Sequence, residues 1–297
     1  MAKKFSGSLV ALVTPMLQDE IDYSALERLI EWHIEQGTHG FVPVGTTGES
    51  PTLSHQEHLE VMQRVIEVTA GRVPVIAGCG SNNTKEAIEY HRYATDMGAD
   101  AALHVTGYYN RPSQEGIAAH FAALSDATDL PIIVYNIPKR AGVDILPDTM
   151  ARLNELAHVV GVKDATADLS RVCLERDLLG DDFVFLSGED MTALAYNISG
   201  GAGCISVTGN VAPKACAKMQ QACIDGDYAT AKAIHDALVP LHRDLFLEPN
   251  PSGVKYACSV LGLCDEEVRL PLLPVSEDTR RRIKHSLETI DLIEQFA

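Results

Sequence analysis

"VVGVKDA", residues 159–165, is the stretch whose reading decides both the fold and the chemistry of this chain. Val159, Val160, Gly161 and Val162 read as a buried β-strand, yet a lysine, Lys163, stands at its end. Seven other segments share that strand-length, near-continuous apolar character: "SLVALVT" (8–14), "GFVPVG" (40–45), "VPVIAGCG" (73–80), "AALHVTG" (101–107), "PIIVYNIP" (131–138), "FVFLSG" (183–188) and "GCISVTG" (203–209). Helix-period stretches lie between them. In "YSALERLIEWHIEQG" (23–37), Leu26, Leu29, Ile30 and Ile34 fall on one face. "SHQEHLEVMQRVIEVTAG" (54–71) opens on Ser54 as N-cap and is expected to close on Gly71 as C-cap.

Apolar strands joined by helices imply a parallel sheet covered on both faces. Eight such units suit a closed (β/α)8 TIM barrel better than an open doubly wound sheet, which generally has fewer strands. The repeat stops near Asp227. The expected organisation is a barrel over 1–226 and a C-terminal helical appendage over 227–297, packed on it and built from "DYATAKAIHDALVPLHRDLF", "GVKYACSVLGL" and "SEDTRRRIKHSLETIDLIEQF".

A length of 297 residues fits one barrel with an extension, and 46% hydrophobic residues supply a large core. The 41 acidic against 24 basic residues give a net charge of −17, which disfavours nucleic acid and anionic membranes as partners. Seven cysteines without a CxxC pair suggest neither a disulfide framework nor a zinc site; they fit a reducing cytoplasm, as buried small hydrophobes. "MAKKFSGSLVALVTP" at the N-terminus reads as a first strand rather than a signal peptide, and no apolar run approaches membrane-spanning length.

In a (β/α)8 barrel the reactive side chains stand at the C-terminal ends of the strands. Those positions hold Thr46 and Thr47, Ser81 and Asn82, Tyr108 and Tyr109, Tyr135 and Arg140, and Lys163. N-capping explains the hydroxyls and the amide, but not a lysine, an in-strand tyrosine and an arginine on one rim. Strict alternation puts Val159, Gly161 and Lys163 on one face, with Gly161 leaving room for the lysine stem. A free lysine, pKa about 10.4, is almost wholly protonated at neutral pH. Desolvation would lower that value and make the amine a nucleophile towards a ketone, the chemistry of a Schiff base. The plainer reading is a lysine snorkelling from a strand end. Tyr135 could move the protons that imine formation requires, "GTTGES" (45–50) could hold a small carboxylate on hydroxyls and backbone N–H groups, and Arg140 could clamp a second carboxylate. Gly78-x-Gly80 lacks the third glycine of a dinucleotide fingerprint, "SGGAG" (199–203) precedes a strand as a turn would, and "HQEH" (55–58) lacks a ligand partner for a metal.

"GTTGES", "YYNRPSQEG", "YNIPKRAG", "GVKDAT", "ISVTGNVAP" and "LFLEPNP" stand in an order and spacing that resembles the dihydrodipicolinate synthase family, of the wider pyruvate-aldolase group that includes N-acetylneuraminate lyase. The similarity runs over essentially the whole chain. The resemblance implies a lyase of lysine and diaminopimelate synthesis that joins pyruvate to L-aspartate 4-semialdehyde, in the cytoplasm, with no cofactor and no metal. By resemblance, Lys163 forms the imine, and Tyr135, Thr46 and Tyr109 relay protons, Tyr109 reaching in from a neighbouring subunit. Thr46 and Thr47 hold the pyruvate carboxylate, with backbone groups of Gly188 and Ile205 nearby, and Arg140 binds the aldehyde's carboxylate. The family also implies an L-lysine feedback pocket at His55, His58, Asn82, Glu86 and Tyr108, and a homotetramer formed as a dimer of dimers. Two departures stand out: Gly107 where the family usually has proline, freeing the loop of Tyr109, and Ala141 where threonine is commoner. The alternatives are a 2-keto-3-deoxy-acid or N-acetylneuraminate aldolase using the same imine, and a non-catalytic sensor barrel for a keto acid or amino acid.

Overall fold

All eight expected strands form in the computed structural model, which describes residues 4–295 and side chains as far as 288; the expected outer limits at 1 and 297 lie outside the described residues. The strands are β1 (Gly7–Ala11), β2 (Gly40–Val42), β3 (Ile76–Gly78), β4 (Ala101–Val105), β5 (Ile132–Asn136), β6 (Val159–Asp164), β7 (Val184–Ser187) and β8 (Gly203–Ser206). They run in the order β2-β1-β8-β7-β6-β5-β4-β3, every pair parallel. A lone bridge between Phe41 and Val75 joins the two ends of that order. The Phe41 N–H donates to the Pro74 carbonyl at 2.9 Å and the Gly78 N–H to that of Pro43 at 3.1 Å, so the ring is nearly closed.

Helices α1 (Tyr23–Glu35), α2 (His55–Thr69), α3 (Thr84–Asp96), α4 (Gln114–Ser125), α5 (Pro147–Asn154), α6 (Leu169–Leu179), α7 (Ala193–Ile198) and α8 (Pro213–Ile224) follow the strands in turn. Ser54 caps α2 in a reciprocal box with Glu57. The other end differs from expectation: Ala70, not Gly71, is the C-cap, and takes the left-handed conformation at φ 49°. That conformation costs an L-residue roughly 1–2 kcal/mol.

The expected tail helices form as α9 (Tyr228–Asp244), α10 (Ser252–Val260) and α11 (Glu277–Gln295). Leu238, Leu241, Val254, Tyr256, Ile283 and Leu287 of the tail share one apolar cluster with Val10, Leu12, Phe41 and Val44 of the barrel. Inside the ring, Leu9, Val42, Ile76, Leu103, Ile133, Val184, Leu186 and Ile205 fill the barrel. Among the described residues, no helix is long and apolar enough to cross a membrane.

Strict alternation fails in the first half of β6. A register shift against β5 between Ile132 and Ile133 leaves Val159 in the outer cluster and turns Val160 towards the barrel interior. Beyond the shift the alternation recovers, so Val162 packs outward and Lys163 lies level with Tyr135 of β5 and Leu186 of β7.

Candidate active site

Lys163 is only 7% exposed. Its Nζ stands 4.1 Å from the centroid of the Tyr135 ring, itself 6% exposed, and among the described residues it takes part in no ion pair or hydrogen bond. The glycine that makes room for it is Gly188, after β7: a Cβ there would meet the lysine Cε at 3.1 Å and Ala165 Cβ at 2.9 Å. Gly161 serves another purpose, since its Cβ would strike the Val184 carbonyl oxygen at 2.6 Å. The strand face was readable from the alternation; the glycine beside the stem was not.

Lys163 and Tyr135 open into a cavity of roughly 500 Å³, a size suited to a small metabolite. Thr46, Thr47, Arg140 and Gly188 also line it, so six of the expected residues converge on one hollow. The "GTTGES" turn that carries the threonines is held from outside. Val44 before it and Glu49 within it adopt left-handed φ values of 47° and 57°, which a β-branched side chain such as Val44 resists. Glu49 accepts from the Lys255 ammonium of α10 at 2.6 Å, both groups being buried, and from the Arg269 backbone N–H at 3.1 Å. Asn250 ties the tail to both carboxylate-binding positions: its Nδ2 donates to Thr47 Oγ1 at 3.0 Å, and its carbonyl oxygen faces Arg140 Nη2 at 3.5 Å.

Sequence reasoning gave no role to Glu49, Lys255, Asn250, His242 or Asp190. Asn250 sits inside "LFLEPNP", and an amide between two prolines was the available signal. His242, on the cavity wall, accepts or donates at Nδ1 with Thr208 Oγ1 at 2.7 Å, and burial pulls its pKa down. Asp190 gathers the Ser206 hydroxyl and the Val207 and Thr208 N–H groups, fixing the turn after β8. Glu189 lines the cavity as well, its carboxyl pKa raised by burial.

Two expected residues stay apart from the hollow. Ile205 is buried among the interior side chains of the barrel and is not part of the cavity wall. Tyr109 is 91% exposed, at φ 67°, on the loop after β4. That loop is tied down despite Gly107: Asn82 Nδ2 donates to the Tyr108 carbonyl at 3.2 Å and Asn110 Nδ2 to that of Asn82 at 2.9 Å. A Cβ at Gly107 would stand 3.0 Å from Asn110 Oδ1, so a larger residue there would press on the side chain that makes this bond.

The five residues of the expected lysine pocket do come together between α2, α3 and that loop. His58, buried and donating from Nε2 to the Gly78 carbonyl at 2.8 Å, stacks on Tyr90 at 4.0 Å between centroids; His55 stacks on the same ring at 5.0 Å. Burial holds the His58 pKa down at about 4. Glu86 accepts from Ser81 Oγ at 2.5 Å and exerts a Coulombic influence on both His58 and Tyr90. Tyr90 is the member of this group that the sequence did not reveal.

A buried, unpaired lysine against a tyrosine at the mouth of a (β/α)8 barrel is the arrangement of a class I aldolase-type lyase. The chain matches the dihydrodipicolinate synthetase family over residues 4–290, and it belongs to that family. It is 58% identical over 289 residues, 97% of this chain and 99% of the other, to the 4-hydroxy-tetrahydrodipicolinate synthase of Parvibaculum lavamentivorans. It is also similar to the chloride-inhibited dihydrodipicolinate synthase of Acinetobacter baumannii, whose structure is complexed with pyruvate, at 47% identity and a TM-score of 0.94, covering 96% of this chain and 99% of that one. The enzyme of Cyanidioschyzon merolae, solved with lysine bound, is 34% identical with a TM-score of 0.93, covering 97% and 99%. These relatives bear the name of the synthase rather than of a sugar-acid aldolase or a sensor.

Proposed function

We propose that this chain condenses pyruvate with L-aspartate 4-semialdehyde to 4-hydroxy-tetrahydrodipicolinate through an imine on Lys163. The observation that carries the reading is the unpaired Lys163 amine beside the Tyr135 ring, at the floor of a hollow that also holds Thr46, Thr47 and Arg140. The amine adds to the pyruvate ketone, and loss of water gives the imine. The imine acidifies the methyl group; its proton leaves, and the enamine carbon attacks the aldehyde. The substrate's own amine then closes on the imine carbon and expels Lys163. Carbinolamine formation, loss of water, removal of the methyl C–H proton and protonation of the aldehyde oxygen each need a proton carrier, the work assigned to Tyr135, Thr46 and Tyr109 of the partner subunit.

Thr46 and Thr47 hold the keto-acid carboxylate, with the Gly188 backbone beside it, and Arg140 receives the carboxylate of the second substrate. The covalent imine serves as electron sink, so the reaction calls for neither cofactor nor metal. The exposed Tyr109 supports an assembly of at least two copies, extended by resemblance to a dimer of dimers in the cytoplasm. The cluster of His55, His58, Asn82, Glu86 and Tyr108 is assigned to L-lysine as feedback effector, with the Glu86 carboxylate for the ligand's ammonium. Turnover unchanged in millimolar L-lysine would remove that assignment.

Borohydride reduction in the presence of pyruvate, followed by peptide mass mapping, tests the mechanism: the adduct is expected on Lys163, and an adduct on another lysine overturns it. Comparing L-aspartate 4-semialdehyde with sugar aldehydes tests the substrate, and preference for a sugar overturns that part alone.

A further inference from the structure

The condensation proposed above leaves one proton without a carrier. Its second substrate is an α-amino acid, and α-amino groups are mostly protonated at neutral pH. An ammonium has no lone pair with which to close a ring. Whatever closes the ring must first take that proton.

The hollow around Lys163 contains a group suited to this. Its wall carries four basic side chains, Lys139, Arg140, Lys163 and Arg243, and among the described residues that line it the one carboxylate is Glu189. Glu189 follows Gly188, the residue whose missing Cβ leaves room for the Lys163 stem. Its backbone is pinned by Ser187, whose hydroxyl donates to the Glu189 carbonyl at 3.0 Å and accepts from the Glu189 N–H at 3.2 Å. The side chain is far less committed. Oε1 accepts one long bond from the Met191 N–H at 3.3 Å, and Oε2 has no partner among the described residues. Burial raises the carboxyl pKa, and the Met191 bond and the charge of Lys139, on the same wall, offset that only in part. A half-buried carboxylate with a free oxygen and a raised pKa is a stronger base than an ordinary surface glutamate.

We propose that Glu189 is a further catalytic residue, the acceptor of the second substrate's ammonium proton, an inference that rests on the condensation proposed above. With Arg140 on the substrate's carboxylate, the ammonium on the same carbon falls to the one carboxylate of the wall. Once the new C–C bond has formed, the ammonium gives a proton to Glu189 and becomes an amine. Its lone pair bonds to the carbon of the protonated imine, and the C=N π pair moves onto the Lys163 nitrogen. A second proton passes from the new ring nitrogen to the Lys163 nitrogen. The carbon–lysine bond then breaks with its electron pair going to lysine, and the lone pair of the ring nitrogen makes the cyclic C=N. The last proton on that nitrogen leaves for solvent, as does the one held by Glu189.

Glu189→Gln keeps the shape and removes the base, so it separates this step from those before it. Borohydride with pyruvate alone should label Lys163 as fully as in the wild type. With both substrates, kcat should fall by about 10²-fold. Borohydride added during turnover should then trap on Lys163 an open-chain adduct containing both substrates, which the wild type closes too quickly to accumulate. Glu189→Asp, which keeps a carboxylate, should recover part of kcat and lose the open-chain adduct in proportion. The proposal is overturned if Glu189→Gln turns over like the wild type, if it is slow but traps only pyruvate, or if it no longer traps pyruvate at all. Failure of the underlying condensation looks different: the wild type itself would carry no pyruvate on Lys163, and both readings would fall together.

Discussion

Among the described residues two lysines are buried, and they have opposite surroundings. Lys163, at the barrel mouth, has a tyrosine ring beside it and no anionic partner among the described residues. Lys255, in the tail, has lost all contact with solvent and lies 2.6 Å from a carboxylate, Glu49, equally buried. Burial alone therefore does not make an amine reactive. Lys255, matched to a carboxylate, is a structural rivet, whereas Lys163 has no anion to offset the cost of its burial and no partner that holds it back from a ligand. The difference predicts two kinds of failure.

Replacing Lys163 with alanine should abolish the borohydride-trapped pyruvate adduct and reduce turnover to background, while the melting temperature stays near that of the wild type because no opposite charge is stranded. Lys255→Met should do the reverse. It leaves the Glu49 carboxylate buried and uncompensated, at a cost of about 3–5 kcal/mol, and the fraction that remains folded should still trap pyruvate on Lys163. Glu49→Gln combined with Lys255→Met should recover much of that stability, as measured by urea denaturation. If Lys255→Met retained full stability but lost the adduct, the assignment of roles to the two lysines would be reversed.

Tyr135 sharpens the contrast, since it is the neighbour Lys163 has in place of a carboxylate. Tyr135→Phe keeps the ring that covers the amine and removes only the hydroxyl. If that hydroxyl carries protons, kcat should fall by about 10²–10⁴-fold, with the adduct forming slowly but still on Lys163. A variant with normal turnover would leave the tyrosine as packing. Arg140 is the next smaller effect. Its guanidinium is exposed, with one long contact to the Asn250 carbonyl, so it is available to a ligand. Arg140→Leu should cost about 1.5–3 kcal/mol of binding, roughly ten- to a hundredfold in kcat/KM for the aldehyde, with pyruvate trapping unaffected. Equal loss for both substrates would argue against a dedicated carboxylate clamp.

How far this contrast could be read from the sequence depends on the distance over which each feature is determined. The eight strands, the tail helices and the Ser54 cap are local patterns, and they form where the periodicity and capping residues indicate. The hollow around Lys163 follows from a rule of the barrel fold, that strand ends share one rim, so Thr46, Thr47, Tyr135 and Arg140 could be gathered without coordinates. Gly188 came only from the resemblance. Lys255 was out of reach: "GVKYA" is an ordinary helical run, and its meeting with Glu49 joins residues far apart in sequence. The register shift in β6 was hidden for a related reason, because it arises from pairing with β5 and leaves no mark on the strand itself.

Buried histidines give the third answer to the problem the two lysines pose: they remain neutral. Burial holds His33 at about 3, and His58 and His91 at about 4, all below the ordinary value near 6.5. In the unfolded chain each would take up a proton as the pH drops below that ordinary value, while in the folded chain each refuses it. The unfolded state thus binds more protons, and stability falls with acidification. The contribution is complete above about pH 6.5 and is lost as the pH falls through the folded values. Glu175 works the other way in part of this range: burial pushes its carboxyl up to about 7, so it favours the folded state at low pH and loses that benefit as the pH rises. Among the described residues burial lowers the pKa of eight histidines, the others being His39, His104, His120, His235 and His242, against three carboxyls whose pKa it raises, Asp164, Glu175 and Glu189. That balance should leave a net decline in the urea midpoint between pH values of about 7 and 4. A midpoint that held level or rose over that interval would mean that the histidines take protons inside the fold.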